Sequence, residues 1–182
     1  MSAARMLVAC YSRTGRTRQV AGEIAAALGA DLEEIGDTTE RSGILGYLQS
    51  AIEALLGAST EIERPRRDPA TYDVVVVGTP VWFSAVSTPV RTYLWLERDR
   101  LPQVAFFLTH GGSGSARALA QMGALAGKRP IGRLVLREDE IESGAYQEKV
   151  AGFARALRAR PARAGSKGRR RRAPSTKARS PT

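Results

Sequence analysis

Only one cysteine, Cys10, and one histidine, His110, occur in 182 residues. One cysteine excludes an internal disulfide and a cysteine-rich metal site. One histidine excludes a histidine-based zinc cluster. No apolar run approaches the roughly 18 residues that span a bilayer. The first residues, MSAARMLVACYS, hold too short an apolar run for a secretory signal and lack a cleavage region. A soluble cytoplasmic protein is the expectation. Acidic residues are missing from one end of the chain. From Arg155 onward there is no Asp or Glu, but 11 of the 28 Lys and Arg residues. The net charge of +10 therefore belongs to that end, and what precedes it is near neutral, with 17 basic against 18 acidic residues.

The same end is poor in large apolar residues. PARAGSKGRRRRAPSTKARSPT cannot bury enough surface to fold, and its composition predicts a disordered basic tail over 161–182 behind a domain over 1–160. No aromatic follows Phe153, so the tail has no stacking platform for single-stranded nucleic acid. Weak, salt-sensitive contact with polyanions is all that such a tail supports. One reading of the whole is thus a non-enzymatic module that meets anionic surfaces through its tail.

What is present suits one compact α/β domain, with 43% hydrophobic residues and a regular alternation of elements. RMLVACY reads as a first strand. Val20, Ala21, Ile24, Ala25 and Leu28 mark one face of a helix that Gly29 ends. DLEEIGD is a weaker second strand, and Ile44, Leu45, Leu48, Ile52, Leu55 and Leu56 repeat at helical spacing. YDVVVVGTP is the strongest strand signal, its unbroken valines pointing to burial on both faces, as in a parallel sheet. STPVRTYLWL, QVAFFLTH, GSARALAQMGALAG, RPIGRLVLR and a helix marked by Val150, Phe153, Ala154 and Leu157 complete the order. Five strand–helix repeats predict a doubly wound, open five-stranded parallel sheet with helices on both faces.

In such a sheet ligands sit beyond the carboxyl ends of the strands, where the three most unusual loops fall. SRTGRT places Ser12, Thr14, Gly15 and Thr17 at a helix start, where hydroxyls, backbone N–H groups and the helix dipole suit a phosphate. Arg13 and Arg16 add positive charge beside them. The loop lacks the lysine of a Walker sequence. TPVWFSAVSTP is read as a loop that carries Trp82 and Phe83, flat side chains able to stack on a planar ring. THGGSG brings His110, a donor, and glycines that let backbone approach a ring closely. As a dinucleotide fingerprint it is a weak signal, because Arg117 stands where the third glycine belongs. A phosphate cradle, an aromatic wall and a glycine wall describe the shape of flavin mononucleotide (FMN).

In YSRTGRT, YDVVVVGTPVW running into STPVRTYL, and VAFFLTHGGSG, the chain resembles a flavodoxin over about residues 6 to 157. The resemblance implies strand order 2-1-3-4-5 with FMN at the switch point. It implies that Ser12, Thr14, Gly15 and Thr17 take the phosphate. Thr79, Pro80, Val81, Trp82 and Phe83 would flank one side of the isoalloxazine, and His110, Gly111, Gly112 and Gly114 the other. It also implies a redox partner protein or a small-molecule electron acceptor. The protein would be an electron carrier or small oxidoreductase, or a flavoenzyme of the NAD(P)H:quinone reductase type. Ser84 follows the loop aromatics where relatives of this type usually carry glycine.

Cys10 and Arg16 support a competing reading. Cysteine, five residues and arginine form the loop of low-molecular-weight phosphatases and arsenate reductases, which need a thiolate nucleophile and an acid for the leaving group. Their late Asp-Pro pair is missing, since Asp68-Pro69 precedes the third strand. That reading also leaves TPVWF and THGGSG without a task.

Overall fold

The computed structural model describes residues 4–36 and 62–160. The helix expected over Ile44–Leu56 and the tail expected over 161–182 lie outside the described residues. The elements run β1 (Met6–Cys10), α1 (Arg16–Leu28), β2 (Asp31–Glu34), β3 (Val74–Trp82), β4 (Ala85–Val86), α2 (Thr88–Leu96), β5 (Gln103–His110), α3 (Ser115–Ala126), β6 (Arg133–Arg137), α4 (Glu138–Ser143) and α5 (Gln147–Arg158). The sheet is ordered β2-β1-β3-β5-β6, with β4 paired to β3 off that path. Every pairing along the path is parallel. This is the expected 2-1-3-4-5 order with one two-residue strand added.

Alternation along the buried strands divides the core into two layers. Val8, Val74, Val76, Phe107 and Leu136 face α1 and α5, where Val20, Ile24, Val150, Phe153 and Leu157 cover them. Leu7, Ala9, Val75, Val77, Phe106 and Leu108 face α2 and α3, where Val90, Tyr93, Leu94, Ala118 and Met122 do so. Side chains two apart share a face of a strand. The unbroken apolar runs are therefore what a sheet covered on both sides requires, each fully buried valine contributing about 1.5–3 kcal/mol.

Two stretches differ from expectation. The third strand continues past Pro80 through Val81 to Trp82. Proline lacks an N–H, and it is tolerated here because β1 ends its pairing two residues earlier, at Gly78. The short helix α4 was not expected. Glu138, Asp139 and Glu140 occupy its first turn, the Glu140 side chain bonds back to the N–H of Arg137, and Gly144 closes it in the left-handed region.

Candidate functional site

The three loops meet at the carboxyl edge of the sheet. The first leaves β1 at Cys10 and turns into α1. Gly15 has φ +91°, and no side chain caps the helix behind it. The Gly15 N–H donates to Ser12 Oγ at 3.1 Å, which closes the turn. The N–H groups of Arg16, Thr17 and Arg18 have no acceptor within the helix, because the first turn lacks a preceding one. They sit at the positive end of a 13-residue helix, where an anion is stabilised. Thr14 and Arg13 are exposed beside them. Arg16 reaches across to α4, with Nη1 3.6 Å from Glu138 Oε2 and a shorter ion pair to Glu142.

The second loop is a tight hairpin. Trp82 pairs with Ala85 and Val81 with Val86, both antiparallel. Phe83 and Ser84 form its tip at φ 48° and 61°, as a two-residue turn with both central residues left-handed demands. This corrects the expected loop at Trp82. Trp82 closes β3 and is only 6% exposed. Its ring meets Tyr11 edge-on, 5.6 Å between centroids and 88° between planes. The exposed aromatic of this hairpin is Phe83, at 54%. Thr79 is fully buried, its hydroxyl 2.9 Å from the Pro80 carbonyl oxygen and 2.8 Å from Ser87 Oγ. Its side chain therefore braces the entry to α2. Pro80 and Val81 are half-buried.

The third loop leaves β5 at His110, which closes the strand and is 7% exposed. Its Nδ1 is buried without a hydrogen-bond partner. Gly111 and Gly112 are exposed, with nothing within 4 Å of a side chain placed at Gly112. Gly114 has φ +85°, and a Cβ there would lie 2.4 Å from the Ser84 Cα. Only glycine permits the two loops to pass that closely.

Three contacts bind the loops into one unit. Tyr11 packs on Trp82, Ser84 lies against Gly114, and Thr17 Oγ1 and Thr109 Oγ1 are 2.8 Å apart in a buried hydrogen bond. The structure thus brings Ser12–Thr17, Phe83 and His110–Gly114 to one edge, and turns the side chains of Thr79 and Trp82 inward. Tyr11, Thr109, Glu138 and Glu142 are the supporting residues that the sequence reading omitted. The Tyr11 and Thr109 positions adjoin strand ends, which is the one signal that pointed to them.

Cys10 is completely buried, and burial, helped by Glu34, pushes its thiol up to about 12. A thiol so placed is not a thiolate nucleophile at neutral pH. Among the described residues no group of acidic, histidine and cysteine side chains could hold a metal ion.

The sequence model of the family described as Flavodoxin matches residues 5–134. The chain belongs to the flavodoxin family. Solved structures agree on the fold. A flavoprotein from Lactobacillus acidophilus NCFM, crystallised in complex with FMN, is 25% identical, with a TM-score of 0.65 over 79% of this chain and 99% of that one. A Bacteroides uniformis protein is 21% identical, with a TM-score of 0.70 over 85% and 99% of the two chains. Two-electron reduced flavodoxin from Megasphaera elsdenii is 23% identical, with a TM-score of 0.51 over 84% and 98%. No curated protein matches the chain. Among the described residues, no helix is long and apolar enough to cross a membrane.

Proposed function

We propose that the three-loop edge binds FMN and that the protein is a redox protein, an electron carrier or small oxidoreductase. The observation that carries this reading is the uncapped start of α1 behind Gly15, tied through Thr17 and Thr109 to the strand that ends in His110. The Lactobacillus relative crystallised with FMN supports the same ligand.

The residues present fit such a ligand. The N–H groups of Arg16, Thr17 and Arg18, with the hydroxyls of Ser12 and Thr14, suit a phosphate, and Arg13 adds charge. Phe83 offers an exposed ring at the hairpin tip. Gly112 leaves open space at the third loop. His110 brings a buried nitrogen that lacks a partner. FMN, when bound, supplies the uptake and release of electrons. The protein's own part is to hold, orient and shield it.

A visible absorption spectrum with added FMN tests the reading. A protein-bound flavin band near ~450 nm supports it. A protein that ignores FMN overturns it. Carrier and quinone-reductase readings part on NAD(P)H consumption with and without a quinone. The phosphatase alternative is disfavoured by the burial of Cys10 and by the pairing of Arg16 with Glu138 and Glu142. For partners we propose a redox protein or small acceptor at the loop edge, and weak polyanion contact through the basic tail.

A further inference from the structure

A hollow of about 540 Å³ lies between α3 and the start of the edge strand β6, away from the three loops. Its lining has an apolar side, Leu119, Ala120 and Gly123 of α3, and a charged side, Lys128, Arg129 and Arg133. The volume falls within the range of small-molecule sites, roughly 300–1,000 Å³.

Six cations of the described residues are ion-paired; the three that line this hollow are not. Arg16, Arg18, Arg67, Arg100, Arg137 and Lys149 each pair with a carboxylate. Among the described residues, Lys128, Arg129 and Arg133 pair with none. Arg98 adds a fourth cation at the same end, its guanidinium packed over Gly127. Like charges gathered without counter-ions repel one another, and a bound anion removes that cost. Two guanidinium groups offer forked donors that match phosphate oxygens, and lysine adds a point charge. The α3 side has the opposite character. It carries no polar side chain and little bulk, so it suits an uncharged body and leaves recognition to the charged side. The chain's own tail is excluded as occupant, because it carries only positive charge.

We propose that this hollow is a second ligand site, which takes a phosphorylated small molecule of nucleotide size, its phosphates on Lys128, Arg129 and Arg133 and its uncharged body against Leu119, Ala120 and Gly123. The site shares no residue with the three-loop edge and does not depend on what binds there.

The test is a titration of the full-length, isotope-labelled chain with ADP, adenosine and inorganic pyrophosphate, followed residue by residue through the amide resonances. ADP is expected to shift Gly123, Gly127 and Gly132 saturably. The K128A/R129A/R133A variant should keep its dispersed amide spectrum and bind ADP at least about tenfold more weakly. Adenosine should bind much more weakly than ADP. Shifts confined to residues after Arg160, or to Gly112 and Gly114, would overturn the proposal, since they would place ADP on the tail or in the three-loop site. Pyrophosphate binding as tightly as ADP would overturn it too, because the apolar side would then contribute nothing.

Discussion

Thr17 and Thr109 stand 92 positions apart in the chain, yet their hydroxyls meet at 2.8 Å in the core of the site. This bond fixes the start of α1 to the end of β5. Replacing either threonine by valine leaves the other hydroxyl buried and unpaired, at a cost of about 1–3 kcal/mol. Replacing both removes the orphan, so the double variant is expected to lose less than the sum of the singles. Urea denaturation of the four proteins measures this. Strict additivity would show that the hydroxyls do not depend on each other.

Trp82 and Phe83 are adjacent but are expected to fail in different ways. Trp82→Ala empties a packed site against Tyr11 and should cost about 3–5 kcal/mol of stability. Phe83→Ala removes an exposed ring and should change stability by less than about 0.5 kcal/mol. Its cost falls on the ligand, with FMN affinity reduced about tenfold. Denaturation and FMN titration of both variants separate the two. A stable Trp82→Ala protein that has lost only FMN would return the stacking role to Trp82.

How much of this was legible in the sequence depends on the range of the interaction. The valine run at 74–77, the strand–helix alternation and the three loops are local patterns, and the sheet follows them. Trp82 was misplaced because Pro80 reads locally as the end of a strand. Only the sheet shows that the neighbouring strand has already stopped. The hairpin tip gave no signal, since Phe83 and Ser84 are not the Asn-Gly pair that normally announces such a turn. The partner of Arg16 lies 126 residues away, beyond what any local pattern can report. The acidic first turn and closing Gly144 of α4 are local signals of a short helix.

Arg16 tests whether the phosphate is held by side-chain charge or by backbone. Its guanidinium lies between Glu138 and Glu142, in a pair open enough to solvent to be worth about 0–1 kcal/mol. Arg16→Ala is therefore expected to leave stability nearly unchanged and to lower FMN affinity less than about fivefold. A loss of about a hundredfold would mean that the guanidinium leaves the carboxylates for the ligand.

The basic tail and the folded domain are expected to act independently. Ending the chain at Arg160 removes eight of the 28 Lys and Arg residues and no acidic one. Retention on a heparin column should be lost, because that attraction is electrostatic and summed over charges. FMN affinity should not change. A truncated protein that no longer binds FMN would refute the division into two parts.

Cys10 sets a limit on stability in alkali. Burial raises its thiol from 9.0 to about 12, so the folded state holds the proton where the unfolded chain has released it. Below pH 9 both states are protonated and the contribution is fully present. Between pH 9 and about 12 the unfolded state binds one proton fewer, so stability falls as pH rises, by at most about 1.4 kcal/mol per pH unit. Cys10→Ala removes this term, though not those of the buried tyrosines. The difference between the two proteins in denaturation free energy should therefore be flat below pH 9 and close steadily above it. The same burial predicts that a thiol reagent at pH 8 modifies Cys10 only as fast as the protein opens. Rapid modification of the folded protein would place an exposed thiol at the phosphate loop and revive the nucleophile reading.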